Sequence, residues 1–264
     1  MAINTKTTLA AALAAAQHIQ YTKTSGGSVL ANAWFSMFSN TGTPSAGTLA
    51  GSSTAAGVVP TSSTSGCPAI NSFNGNNGLV AGVEFNWTVL GRVKLFDMLF
   101  KAGAYSFNSV VTLASQPSYS GRVPGGTDFT ATQIWIEFVT TFTGILNVAV
   151  TYTNQAGTTG RTTGTVTTVA GTASRLYQLP LQALDTGVQK IESVTATVAT
   201  VGTFNVLVLR PLAQARIDVI CGSAYRGFMQ CMTQMYDTSA LYVAVSSDTT
   251  SSGVLDMNIQ AANG

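Results

Sequence analysis

The chain has 264 residues, of which only 8% are Asp, Glu, Lys or Arg, against roughly 25% in an ordinary soluble domain. Its net charge is +2, and its arginines, Arg92, Arg122, Arg161, Arg175, Arg210, Arg216 and Arg226, are scattered. That scatter excludes the cationic track with which a nucleic-acid groove neutralises phosphates. The hydrophobic share of 45% is enough for a substantial core, and no apolar stretch reaches the ~18 residues of a membrane span.

In chain order, residues 1–24 read as an arm. Leu9–Ala16 imitates a secretory h-region, but alanine is a poor hydrophobe and only Lys6 precedes it, so a short helix is the better reading. Thr7 or Thr8 would cap it and the alanines would carry it to about Gln17, with His18 at its end. Residues 25–78 are dominated by Gly, Ser, Thr, Pro and Asn, a linker-like composition. Within them Trp34, Phe35 and Phe38 are either interface anchors or the first core strand. Residues 1–78 cannot bury enough apolar surface alone to offset their ordering entropy, and are expected to act as a clamp held by partners.

From Gly78 onward the pattern is β. Gln133–Thr140 alternates, with Ile134, Ile136 and Phe138 on one face. Leu146–Thr153 and the following Thr/Gly-rich run read as a hairpin. Ser193–Ala199 with Phe204–Leu209 reads as a second, stopped at Arg210-Pro211, and Ala240–Ser246 with Val254–Gln260 as a third. The inside of a sandwich should be shared by Ile134, Ile136, Phe138, Val148, Val150, Val206 and Val208. Val93–Ala102, ended by Gly103, is expected to be a helix or, by its apolar run, equally a buried strand, and a helix is expected at Ser223–Met235, where Tyr225, Phe228, Met229 and Met232 recur at helical spacing. The expected fold is all-β, an antiparallel β-sandwich or jelly roll with a short N-terminal helix and extended arm. Its parts are an arm over 1–78, a sandwich over 79–215 and a C-terminal helix and hairpin over 216–264.

Chemistry-bearing patterns are sparse. A nucleophilic triad would have to use His18, and neither GxSxG, a P-loop nor GxGxxG occurs. Glu137, flanked by Trp135 and Phe138, is the best carboxylate for sugar chemistry; the plainer reading has it pointing outward from its strand. Cys67, Cys221 and Cys231 are too widely spaced for a zinc site and read as unpaired thiols. No catalytic residue, cofactor or metal is expected. Gly121–Asp128, GRVPGGTD, fixes a turn, and its Arg122 and Pro124 join Trp34, Phe35 and Phe38 as candidate interface residues.

Lys101–Asp128, KAGAYSFNSVVTLASQPSYSGRVPGGTD, resembles a group of tailed-bacteriophage virion structural proteins, as do VTYTNQAGTTGRTT, LQALDTGVQKIESVTATV and GTFNVLVLRPL. The resemblance implies a non-enzymatic capsid cement or decoration protein, located in the virion after assembly in the host cytoplasm. Its implied partners are a major capsid protein, other virion proteins and copies of itself, with no nucleic acid and no membrane. Alternatives are a tail, collar or fibre component, or a carbohydrate- or receptor-binding module.

Overall fold

The computed structural model describes residues 5–24, 30–51, 53–75, 77–197, 201–231, 233–251 and 253–264. Helix α1 (Lys6–Ala14) leads into β1 (Gln17–Thr24), β2 (Trp34–Ser36), β3 (Gly42–Thr43), β4 (Gly78–Trp87) and β5 (Gly91–Ser106). Next come β6 (Val110–Thr112), β7 (Gln133–Phe138), β8 (Asn147–Asn154), β9 (Arg161–Thr162), β10 (Val166–Thr167), β11 (Arg175–Leu179), β12 (Val188–Thr197) and β13 (Thr203–Ile217). The chain closes with β14 (Gly222–Arg226), the short helix α2 (Phe228–Cys231), β15 (Gln234–Met235), β16 (Leu241–Ser247) and β17 (Val254–Asn263). The fold is all-β, and its sheets are built from antiparallel pairs.

Two compact units divide the chain. The first comprises Met1–Gly47, Thr61–Asp97 and Pro211–Gly264; the second comprises Thr48–Pro60 and Met98–Arg210. The chain therefore leaves the first unit at 47/48, returns at 60/61, leaves again inside β5 and re-enters inside β13. Boundaries at 78/79 and 215/216 do not coincide with this division. A boundary inside a continuous strand leaves no linker composition to mark it.

Each unit has the hydrogen-bonding order of a jelly roll. In the first unit one sheet runs β14-β4-β17-β1, with β3 beyond β1, and β2, β16, β5 and β13 follow one another in the other. Counting that unit's eight main strands in chain order, the sequences are 6-3-8-1 and 2-7-4-5. In the second unit β5, β13, β7 and β11 are successive neighbours, and the facing set is β6-β12-β8-β10, with β9 also on β8. Counted the same way, these are 1-8-3-6 and 2-7-4-5, the same arrangement.

Each unit has its own core. Ile19, Tyr21, Phe35, Phe85, Trp87, Val93, Leu95, Val243, Val245, Met257 and Ile259 belong to the first. The seven residues expected to share a sandwich interior all lie in the second, each at most 1% exposed. Spacing in β12 departs from simple alternation. Val188, Ile191 and Val194 point inward at intervals of three because register shifts fall between Val188 and Lys190 and between Ile191 and Ser193. A β-bulge resets the inward face in this way.

Several local expectations are corrected. Thr5, not Thr7 or Thr8, caps α1: Thr8 N donates to Thr5 Oγ1 at 3.1 Å and Thr5 N to Thr8 Oγ1 at 3.0 Å. The helix ends at Ala14, so His18 lies exposed on β1, its Nδ1 3.3 Å from Asn258 Oδ1. Val93–Ala102 is part of strand β5. Its residues 95–103 are buried on both faces, which gives a strand a continuous apolar run in place of alternation. Residues 223–235 hold β14, the four-residue α2 and β15 rather than one helix, because Gly222–Arg226 pair with Trp87–Val83. Met232 of that expected helix and the 198–200 link of the expected second hairpin lie outside the described residues.

The first hairpin is present, with Val148 opposite Val166 and Thr151 opposite Thr162. The other two are not. β12 pairs with β6 and β8 while β13 pairs with β7, and β16 pairs with β2 and β5 while β17 pairs with β1 and β4. Turn residues specify a reversal of the chain. They do not specify whether the next strand joins the same sheet or arches over the core to the facing one. β13 also continues through Pro211 to Ile217 rather than stopping there.

Candidate functional site

The residues singled out from sequence are dispersed, and most face inward. Phe35 and Phe38 are 4% and 1% exposed. Phe35 sits opposite Val245 on β16. Phe38 lies 5.8 Å from the Tyr242 ring and is covered by Gly47, where an added Cβ would fall 2.4 Å from the Phe38 ring. Arg122, the last residue of the first of two successive 3-10 turns, is 4% exposed and donates to the carbonyls of Pro60 and Met98. The GRVPGGTD loop therefore points its cation into the second unit, and the expected docking role of Arg122 is corrected to an internal anchor. Its outer part keeps Pro124 half-buried and Asp128 exposed. Asp128 Oδ1 accepts from Thr130 N and Oγ1, which holds its carboxyl below the usual range.

Glu137 does not point into solvent. It is fully buried, accepts from Asn205 Nδ2 at 3.0 Å and lies 4.0 Å from Lys101 Nζ. The cover over it is the Gly/Ser/Thr-rich segment. Lys101 Nζ donates to the Thr48 carbonyl at 2.8 Å, Asn205 Nδ2 to that of Leu49, and Gly51 N to Asn205 Oδ1 at 3.0 Å. Tyr105 donates to the Thr54 carbonyl at 2.8 Å. Val58 and Lys101 exchange backbone hydrogen bonds of 2.8 and 3.0 Å. Glycine is needed at Gly51 and Gly57, where a Cβ would stand 2.5 Å from Gly103 backbone and 2.2 Å from the Phe100 ring. The linker-like composition thus reflects close backbone approach. The chain's own second unit holds residues 48–60, correcting the idea that partners supply their contacts.

Enclosed in this way, the Lys101–Glu137–Asn205 set is an internal polar clasp. Asn205→Ala removes partners from Glu137, Leu49 and Gly51 together and is expected to cost about 1–3 kcal/mol, read as a lowered denaturation midpoint. A second polar hub lies at Asp185. It accepts from Arg161 Nε at 2.9 Å, Tyr152 Oη at 2.7 Å and Asn154 Nδ2 at 2.7 Å. Arg161 first, with Asn154 and Tyr152, pulls its pKa down to about 2. A carboxylate depressed from about 4 contributes stability that is present above that value and lost as pH falls toward 2. Thermal midpoints should drop between pH 4 and 2, and Asp185→Asn should flatten that part of the profile.

Trp34 alone among the aromatic trio reaches the surface. On the outer face of the β2–β16–β5 strands, Trp34, Ser246 and Arg92 stand in register, as do Ser36, Ala244 and Lys94. The small Ser246 and Ala244 leave room for Lys94 Nζ to sit 4.6 Å from the Trp34 ring centroid, a cation–π contact. Gln214 and Arg216 of β13 and Arg226 of β14 complete a groove of about 240 Å³. Four of the chain's twelve cations thus line one surface feature. Arg216 is taken by Asp218 at 2.6 Å and Asp248 at 2.7 Å, and Arg226 Nε donates to the Gln214 carbonyl at 3.0 Å. These cations are separated by up to 134 positions, so no run betrays them. The Arg-x-Lys alternation at Arg92 and Lys94 is the one local sign, legible only if that segment is taken as a strand.

Among the described residues no group of three or more His, Cys, Asp or Glu could hold a metal ion, and no helix is long and apolar enough to cross a membrane. None of the three cysteines forms a disulfide; Cys67 and Cys231 are buried and Cys221 is exposed.

No family model matches the sequence, and no curated protein matches it. Among solved structures, the VP2 subviral particle of infectious bursal disease virus overlaps 94% of this chain and 80% of its own, at 10% identity and a TM-score of 0.22. The Gx strain of that virus gives 94%, 81%, 10% and 0.21. The STIV MCP gives 92%, 96%, 8% and 0.14. Overlaps this loose define neither a fold nor a function.

Proposed function

We propose that this chain is a non-enzymatic structural component of a virion, most specifically a cement or decoration protein that stabilises a shell by protein–protein contacts. The observation that carries the reading is the doubled jelly roll, an architecture used for capsid and lectin domains. The sequence resemblance to phage virion proteins supports the capsid side of that pair. The surface supports the same reading. With 8% charged residues, large areas can be buried against a neighbour at a low desolvation cost. Exposed apolar side chains stand at Val110, Leu184, Val201, Val219, Ile220 and Met229 and offer contact points. Neighbouring capsid subunits and further copies of the chain are the partners in this reading.

The test is add-back to shells lacking the protein. Saturable binding, with a gain in resistance of the shells to heat, supports cement. Binding confined to one vertex or to tails moves the chain to the collar or tail. Binding to a glycan array with no affinity for shells favours the receptor-binding reading.

A further inference from the structure

Three polar side chains that the virion reading does not use meet on successive strands of the second unit. Lys101 stands on β5, Asn205 on β13 and Glu137 on β7, and the strands lie in the order β5-β13-β7. Asn205 is directly opposite Glu137. Lys101 is 5% exposed and the other two are 0% exposed. One carboxylate oxygen, Glu137 Oε2, lies 3.0 Å from Asn205 Nδ2 and 4.0 Å from Lys101 Nζ. The Asn205 amide is pressed close to β5: a Cβ at Gly103, two residues from Lys101, would stand 2.5 Å from Asn205 Oδ1. Gly51 N donates to that same oxygen at 3.0 Å. A primary amine, a carboxamide, a proton carrier and an oxyanion donor are thus gathered in one buried place.

We propose that Lys101 and Asn205 condense into an intramolecular isopeptide bond, with Glu137 carrying the protons. A proton first passes from the Lys101 ammonium to the Glu137 carboxylate, a step favoured by burial, which disfavours separated charges. The neutral Nζ then bonds to Asn205 Cγ, and the carbonyl electron pair moves onto Oδ1, where the Gly51 N–H donates. Glu137 gives its proton to Nδ2 and takes one from Nζ. The Cγ–Nδ2 bond breaks as the electron pair returns from Oδ1. The products are an Nζ–Cγ amide, ammonia and a protonated Glu137, and no oxidant or further reactant enters. The reaction happens once per chain and turns over no substrate. The bond joins β5 to β13, the first and last main strands of the second unit, and closes the chain between 101 and 205 into a loop. Such closure restricts the unfolded chain as a disulfide does. In the linked chain Asn205→Ala forfeits this closure together with its hydrogen bonds. The inference goes beyond the virion reading and does not depend on it.

The test is the intact mass of the purified, folded full chain, followed by a tryptic peptide map. The mass is expected to fall short of the sequence mass by one molecule of ammonia. The map is expected to show a branched peptide joining the segments around Lys101 and Asn205, with trypsin no longer cutting after Lys101. Glu137→Gln keeps the shape of the side chain and removes the proton carrier, and should retain the full mass. A full mass for the unaltered chain would overturn the proposal. So would a loss of ammonia traced to another asparagine with Lys101 and Asn205 unlinked, or a Glu137→Gln chain linked as completely as the unaltered one. If Glu137→Gln does not fold, the peptide map of the unaltered chain decides alone. The measurement needs no shells. An unlinked chain found in virions would sink the cross-link and leave the virion reading standing, and a linked chain absent from virions would do the opposite.

Discussion

A chain lacking residues 1–24 should fail to fold its first unit. β1 is paired along its whole length, Gln17–Thr24, with Ala261–Val254 of β17, and continues the sheet to β3. It inserts Ile19 and Tyr21 into the core at 5% and 0% exposure. Lys23, also buried, donates through Nζ to the carbonyls of Asn40, Pro44 and Ser45 at 3.0, 2.6 and 3.0 Å. Removing two large core side chains forfeits roughly 1.5–3 kcal/mol each. The loss of the ladder and of Lys23's contacts comes on top, against a total stability of about 5–15 kcal/mol. Removing only residues 1–15 should cost little, because Ala12 is the one buried residue of α1 and packs on Ala81 and Ala262. Circular dichroism and thermal melts of the two truncations check this. A cooperative, native-like melt from the 1–24 deletion would show that β1 is an appendage after all.

Phe138→Ala should destabilise the second unit by about 3–5 kcal/mol, the range for a large aromatic deleted from a packed core. The ring is fully buried, with its centroid 4.3 Å from that of Phe142 and 5.4 Å from that of Tyr177. Phe138 stands opposite Phe204 on β13. Few small rearrangements can fill a hole lined by other rigid rings. Denaturant unfolding measures the loss, and Leu184→Ala, at a site 96% exposed, should change stability by no more than about 0.5 kcal/mol. A loss below about 1 kcal/mol at Phe138 would contradict the packing described.

Period-two alternation made β8 legible, because most of its length buries one face; β7 and the first half of β13 are buried on both faces and were legible only because Ile134, Ile136, Phe138, Val206 and Val208 still recur at every second position. It failed for β5, whose burial on both faces erases the alternation. It failed again at β14, where Tyr225, Phe228 and Met229 imitate helical spacing around a strand that ends at Arg226. The division into units was invisible because two of its crossings cut β5 and β13 and the other two bound the 48–60 segment that composition marks only as linker-like. The Gly/Ser/Thr-rich stretch looked like a linker because composition does not distinguish a free segment from one packed so closely that side chains are excluded. Glu137 looked outward-facing because the segment that covers it lies nearly 90 positions earlier. The four cations of the groove could be gathered only by a topology that sequence did not specify.

The copy number of this chain in purified virions, measured against the major shell subunit by quantitative mass spectrometry, tests the central claim most directly. A cement or decoration protein should be present in a fixed, shell-wide ratio to that subunit. Absence of the chain from purified particles, with the protein recovered only in the infected-cell lysate, would contradict a structural role in the virion.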